Sequence, residues 1–89
     1  MTISKIPKKY REAHDATFAN WLMLKRSKMC GCIFCCRTYS ASDVVDWCNE
    51  QDENRTALCP CCGIDSVIPD ASGWSLDEEF LKEMKRWWF

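Results

Sequence analysis

Eight cysteines punctuate this chain of 89 residues, and two groups of them carry metal-ligand spacing. Cys32 and Cys35 bracket Ile33 and Phe34; Cys59 and Cys62 bracket Pro60 and Cys61, with Gly63 directly after. Two residues between cysteines let one tight turn present both sulfurs to a single ion. A glycine after the pair tolerates the positive φ such turns often need. Tetrahedral zinc takes four ligands with Zn–S bonds of ~2.3 Å, so the pairs point to one structural site of Cys32, Cys35, Cys59 and Cys62. Spacing does not separate zinc from iron, but four thiolates without a redox motif favour Zn2+. Four sulfurs also leave no open position for a substrate, so the site reads as non-enzymatic, with no catalytic residue assigned.

Cys30, Cys36, Cys48 and Cys61 are left over, and they read as small buried hydrophobes or bystanders of the two knuckles. The sharper alternative is a second metal or a redox pair involving Cys36 and Cys61, with Cys30 the first substitute ligand. His14, the one histidine, has neither a paired ligand nor a nucleophile near it in sequence, and is assigned to packing on the first helix. Asp65 and Ser66 follow the second knuckle directly, which suits hydrogen bonds to backbone there better than hydrolysis.

Thiols hold metal only where they stay reduced. The opening residues contain no apolar run of signal-peptide length, and nowhere do about 18 apolar residues follow one another. A cytoplasmic location is expected, where disulfides are rare. The length suits one domain, 1–89, with 1–7 a flexible lead-in, near the size where an apolar core needs a staple. Charge is divided: residues 1–30 carry seven cations against two acids, and 31–89 carry five against eleven. The total of −1 would fall to −3 with four thiolates and one Zn2+. Bulk charge therefore disfavours nucleic acid, whose binding rests on many neutralised phosphates. A local basic N-terminal face keeps it as the second partner class.

The elements that must position these ligands follow from periodicity. Tyr10, His14, Phe18, Trp21 and Leu22 recur at helical spacing, predicting an amphipathic helix over 8–27. Ser40 to Asp43 resembles a capping box and predicts a middle helix through Val44–Gln51, which would bury Val44, Val45, Trp47 or Cys48. The polar stretch 51–55 reads as loop. The stretches 55–58 and 65–68 suit short strands on either side of the second knuckle, together a hairpin. A turn is expected at 69–73. Ser75 and Glu78 then form an S-x-x-E box opening a helix with Phe80, Leu81, Met84, Trp87 and Trp88 on one face. Trp21 and Trp87 are assigned to the core. Trp88 and Phe89 divide evenly between core and contact surface, and with Lys85 and Arg86 they form the candidate partner-binding residues.

With Cys-Gly-Cys-Ile-Phe-Cys at 30–35, Asp-Val-Val-Asp-Trp at 43–47, Thr-Ala-Leu-Cys-Pro-Cys-Cys-Gly-Ile-Asp-Ser-Val-Ile at 56–68 and the tail 79–89, the chain resembles a family of small cytoplasmic zinc-ribbon-like proteins of bacteria and their phages. The match runs from about His14 to Phe89. The resemblance implies a metal-stabilised intracellular domain with Cys32, Cys35, Cys59 and Cys62 on its knuckles, and it carries no established activity across. This sequence departs by Asp43-Val44 at an E-I position, Pro69 where glycine is expected, and the added Cys36, Cys48 and Cys61. The expected architecture is thus a small α+β zinc-ribbon-like domain with two knuckles, a short β-hairpin and N-terminal, middle and C-terminal helices. The expected role is a protein-binding module, plausible for a phage or bacterial accessory protein acting on a host factor, with nucleic-acid binding the alternative.

Overall fold

The sheet that carries the first knuckle has strand order β2-β1-β5, with β1 (Met29–Cys32) at its centre. Its antiparallel neighbours are β2 (Thr38–Ser40), pairing Cys30 with Tyr39, and β5 (Val67–Pro69), pairing Gly31 with Ile68 and Cys32 with Val67. The computed structural model describes residues 5–48 and 54–89. A second, two-stranded ribbon joins β3 (Trp47–Cys48) to β4 (Thr56–Ala57). The helices are α1 (Lys8–His14), α2 (Trp21–Leu24) and α3 (Glu78–Trp88). This is a small α+β zinc-ribbon-like domain. None of the helices among the described residues is long and apolar enough to cross a membrane.

Because side chains alternate along a strand, the central sheet presents two different faces. Cys30, Cys32 and Val67 turn to the face holding the cysteines, where Leu24, Val44 and Ala57 complete one core cluster. Ile68 turns to the other, where Phe80, Leu81 and Met84 of α3 pack with Ala13 and Ile33. Gly31 permits this approach: a Cβ there would lie 3.1 Å from Leu81 Cδ1 and 3.3 Å from Cδ2, and Leu81 is fully buried. Gly31→Ala is accordingly expected to destabilise by ~1–3 kcal/mol, read as a shift in denaturation midpoint at constant slope.

α3 starts two residues later than the S-x-x-E pattern suggests. Asp77 is its N-cap, with Oδ1 accepting from Phe80 N at 2.8 Å, while the Ser75 hydroxyl donates to Asp77 Oδ2 at 2.6 Å. Glu78 and Glu79 in the first turn and Lys85 and Arg86 in the last complement the helix dipole. The expected inward face holds for Phe80, Leu81 and Met84, while Trp87 and Trp88 are half-buried.

Two other expectations are corrected. The helix over 8–27 is broken into α1, a 3-10 turn at Asp15–Thr17, and α2. Thr17 Oγ1 donates to His14 O at 2.7 Å, Phe18 is extended, and Ala19 has φ 48°. Phe18 and Leu22 of the expected stripe end up exposed, whereas Thr17 and Asn20 are buried. Side chains that bond to nearby backbone compete with the helix, and here they win. The predicted middle helix shrinks to a 3-10 turn at Ala41–Asp43, whose Ser40 hydroxyl caps Ser42 N. Val44 to Asp46 leave that turn, and Trp47 and Cys48 pair with β4 instead, a tertiary contact that outweighs the local capping pattern. Val44 is buried and Val45 is exposed. Positions 49–51 of that helix, and 51–53 of the expected loop, lie outside the described residues.

Strands do form at both places expected beside the second knuckle, but they do not pair with each other. β4 joins β3 and β5 joins β1; the hairpin is β1–β2, across the first knuckle. The turn expected at 69–73 is a 3-10 turn closed by Gly73 at φ 86°. Of the expected lead-in, residues 1–4 lie outside the described part, and Ile6 is buried.

Candidate metal centre

The two knuckles bring Cys32, Cys35, Cys59 and Cys62 together, with all four Sγ atoms within 4.8 Å of one another. Cys32 Sγ lies 3.7 Å from Cys62 Sγ, and Cys35 Sγ 3.8 Å from Cys59 Sγ. Four bonds of ~2.3 Å at tetrahedral angles place sulfurs about 3.8 Å apart, so the cluster has the size that one metal ion requires. None of the eight cysteines is in a disulfide.

The backbone repeats itself around the two halves. Cys36 N donates to Cys32 O at 2.9 Å, and Gly63 N donates to Cys59 O at 2.8 Å. Phe34 N reaches Cys32 Sγ at 3.3 Å, and Cys61 N reaches Cys59 Sγ at 3.3 Å. Cys35 receives the N–H of Arg37, and Cys62 that of Ile64. Every sulfur therefore has a backbone N–H two residues on, a donor set made for thiolates. Ser66, buried after the second knuckle, places Oγ 3.0 Å from Cys32 Sγ. The buried Tyr39 hydroxyl has no hydrogen-bond partner among the described residues and lies near enough to Cys59 to favour its thiolate.

The same closeness creates an electrostatic conflict. Burial pushes Cys35 up to about 12 and Cys62 up to about 11, each raised further by the neighbouring sulfurs. At Cys59 burial also raises the pKa, yet the nearby Tyr39 hydroxyl and the N–H groups of the knuckle backbone outweigh it and bring the thiol down to about 6. Ionising four sulfurs this close would need a cation among them, which a metal ion held by the four cysteines would supply.

The equivalence of the knuckles also marks a strained residue. Cys36 and Gly63 occupy matching positions, with φ 61° and 79°. Glycine adopts that conformation freely; a residue with a Cβ does not. Of two variants that both remove the thiol, Cys36→Gly is expected to be more stable than Cys36→Ala by ~1 kcal/mol in metal-loaded denaturation. Equal stabilities would refute the strain.

The remaining cysteines stand outside the cluster. Cys30 is fully buried, its Sγ 3.8 Å from Tyr39 O; Cys48 Sγ contacts Thr56 O at 3.6 Å. Cys61 is exposed, and Cys36 Sγ lies 4.0 Å from Phe34 O. His14 is also away from the cluster, stacked on Trp88 with ring centroids 3.8 Å apart; burial lowers its pKa although Asp15 and Asp65 pull the other way. Asp65 is exposed and shares a cleft with His14.

The candidate contact residues divide in two. Trp88 is half-buried and its Nε1 donates to Tyr10 O at 3.1 Å, so it helps hold α1 on α3. Phe89 is 57% exposed and meets Phe34 edge-on at 5.0 Å. Lys85 Nζ lies 4.9 Å over the Phe34 ring, and Arg86 over Trp87 at 5.7 Å. Trp21 and Trp87 are each half-buried rather than enclosed. Sequence reasoning missed Tyr39, and it assigned Ser66 to backbone hydrogen bonds where the structure turns its hydroxyl to Cys32 Sγ instead.

Fold and cluster together define a small α+β domain built around a four-cysteine centre able to hold a metal ion. No family model, curated protein or solved structure matches the chain.

Proposed function

We propose that this chain is a zinc-stabilised, non-enzymatic module that binds another protein. The observation that carries the reading is the closed set of four sulfurs, which uses every tetrahedral position and makes the metal structural. The exposed aromatics supply the surface. Phe18 and Phe89, 68% and 57% exposed, border a cleft of about 300 Å³ also lined by His14, Ile33, Asp65 and Trp88. Adjacent exposed aromatic surface with a few polar groups is the composition of a protein contact site. Lys85 and Arg86 lie in the last turn of α3, with Lys85 Nζ over the Phe34 ring that Phe89 meets. The motif resemblance supports a cytoplasmic setting in bacteria or their phages, and there the partner is a host factor that the module binds or inhibits. The all-thiolate set favours zinc, and iron in the same site would give strong visible absorption.

The test is capture of the zinc-loaded protein from its native lysate, with and without nuclease, beside a Phe18→Ser/Phe89→Ser variant. One stoichiometric protein that survives nuclease and is lost with the variant supports the reading. Recovery abolished by nuclease removes it in favour of nucleic acid. That second reading has one specific support: Lys25 and Arg55 lie 4.3 and 5.3 Å over the Trp21 ring, beside a cleft shared with Trp47. Cations among aromatics suit single-stranded nucleic acid, and affinity would then fall steeply with salt.

A further inference from the structure

We infer that the cleft between α1 and the first turns of α3 is a guanidinium site, taking an arginine side chain of a partner protein. It lies away from the four sulfurs and from the Phe18–Phe89 cleft, so it stands independently of the function proposed above. Its volume is about 300 Å³, at the small end for ligand pockets. Tyr10 and Trp74 supply aromatic walls over the buried Phe80: Trp74 and Phe80 are nearly parallel with centroids 6.0 Å apart, and Tyr10 lies 6.1 Å from Phe80. Asp77, Glu79 and Glu83 supply carboxylates around the same space. Among the described residues Asp77 and Glu79 have no ion-pair partner within 4.0 Å, while Glu83 lies 3.7 Å from Arg86.

Ring faces carry negative potential, and carboxylates nearby add to it, so the cleft selects cations. The positive end of α3 works against this, but Asp77 already caps it. A cation is in fact at the mouth: Lys9 Nζ sits 5.3 Å from the Tyr10 centroid, and its charge contributes to holding Asp77 below the usual carboxylate range, after the Ser75 and Phe80 hydrogen bonds. Lys9 stands in for the ligand.

The chemistry of the walls chooses among cations. A quaternary ammonium is attracted by the carboxylates but has no N–H to donate to them. A lysine ammonium is strongly hydrated and loses more on entering an aromatic cleft. A guanidinium is weakly hydrated, stacks flat on aromatic rings and offers five N–H donors in a plane that matches carboxylates.

The test is an NMR titration of the zinc-loaded domain with N-acetyl-arginine amide, against sodium chloride at equal ionic strength. N-acetyl-citrulline amide (the same shape without charge), N-acetyl-lysine amide and tetramethylammonium serve as comparators. Saturable shifts centred on Trp74 Nε1–H and the Glu79 amide are expected with the arginine probe, with affinity at least about threefold lower for the lysine probe and none for citrulline. The exposed change Glu79→Gln should weaken binding about threefold, and Lys9→Met should strengthen it by a similar factor through loss of the competing charge. Citrulline or tetramethylammonium binding as well as arginine would overturn the assignment. So would a Lys9→Met protein that binds no more tightly than the original.

Discussion

Stripping the metal from this domain will unfold it. A zinc chelator at neutral pH is expected to abolish the dispersion of its proton NMR spectrum, and equimolar Zn2+ to restore it. Native mass spectrometry of the loaded form should show one ion per chain. The expectation rests on where the four sulfurs sit. Cys32 and Cys59 are in the buried cluster on one face of the central sheet, and Cys35 and Cys62 pack against it. Without an ion, close sulfurs that repel one another when ionised replace the centre of that core. In small zinc peptides, binding contributes an apparent ~10–16 kcal/mol at neutral pH, more than a typical domain's ~5–15 kcal/mol net stability. Cys32→Ser and Cys59→Ser should reproduce the loss, whereas Cys61→Ser should retain metal. Because every ligand must be a thiolate, loading should be lost as pH falls, never as it rises from neutrality. A chelated protein that kept its dispersion and a cooperative transition would show that the core folds without the ion.

Asn20 should be the most costly non-cysteine polar residue to truncate. It is 1% exposed, and its amide closes three bonds: Nδ2 donates to Ala16 O at 3.0 Å and to Val67 O at 2.8 Å, and Oδ1 accepts from Ala57 N at 2.9 Å. One side chain thereby ties the break between α1 and α2 to both sheets. Asn20→Ala strands these backbone groups, each unsatisfied buried group costing ~1–3 kcal/mol, so a loss of about 3 kcal/mol or more is expected in metal-loaded denaturation. Asn20→Asp should not rescue it, since the second oxygen would face two carbonyls rather than donate to them. A wild-type midpoint for Asn20→Asp would mean that the Ala57 bond alone matters.

Asn20 also shows why part of the fold escaped the sequence. Its partners Val67 and Ala57 are remote in the chain, and local spacing around Tyr10, His14, Phe18 and Trp21 gave no sign that the helix would stop to reach them. The middle helix failed for the same reason: Trp47 and Cys48 are recruited by pairing with Thr56 and Ala57, a tertiary contact that overrides a local capping pattern. What could be read was what local geometry determines. Two residues between cysteines dictate a turn that aims both sulfurs one way, and the four expected thiols do converge. Phe80, Leu81 and Met84 at helical spacing dictate the inward face of α3. The start of that helix was two residues off because Ser75 and Asp77 are both good caps, and only the packing chooses between them. Tyr39 had no motif at all, and the position of Ser66 after the second knuckle marked a hydrogen-bonding residue without naming Cys32 as its partner.

The strand order has a consequence for assembly in time. The central strand β1 is flanked by β2, its immediate successor, and by β5, which arrives only with residues 67–69. A hairpin of β1 and β2 can close within microseconds of leaving the ribosome, presenting Cys32 and Cys35 as half a site. Ribosomes add about 5–20 residues per second, so the other half follows seconds later. During that interval two thiols wait with half a coordination sphere, open to a wrong metal or an oxidant. The long-range closure of β5 on β1 and the completion of the metal site are therefore one late event, and the yield of correctly loaded protein should depend on how much free zinc is at hand when it happens.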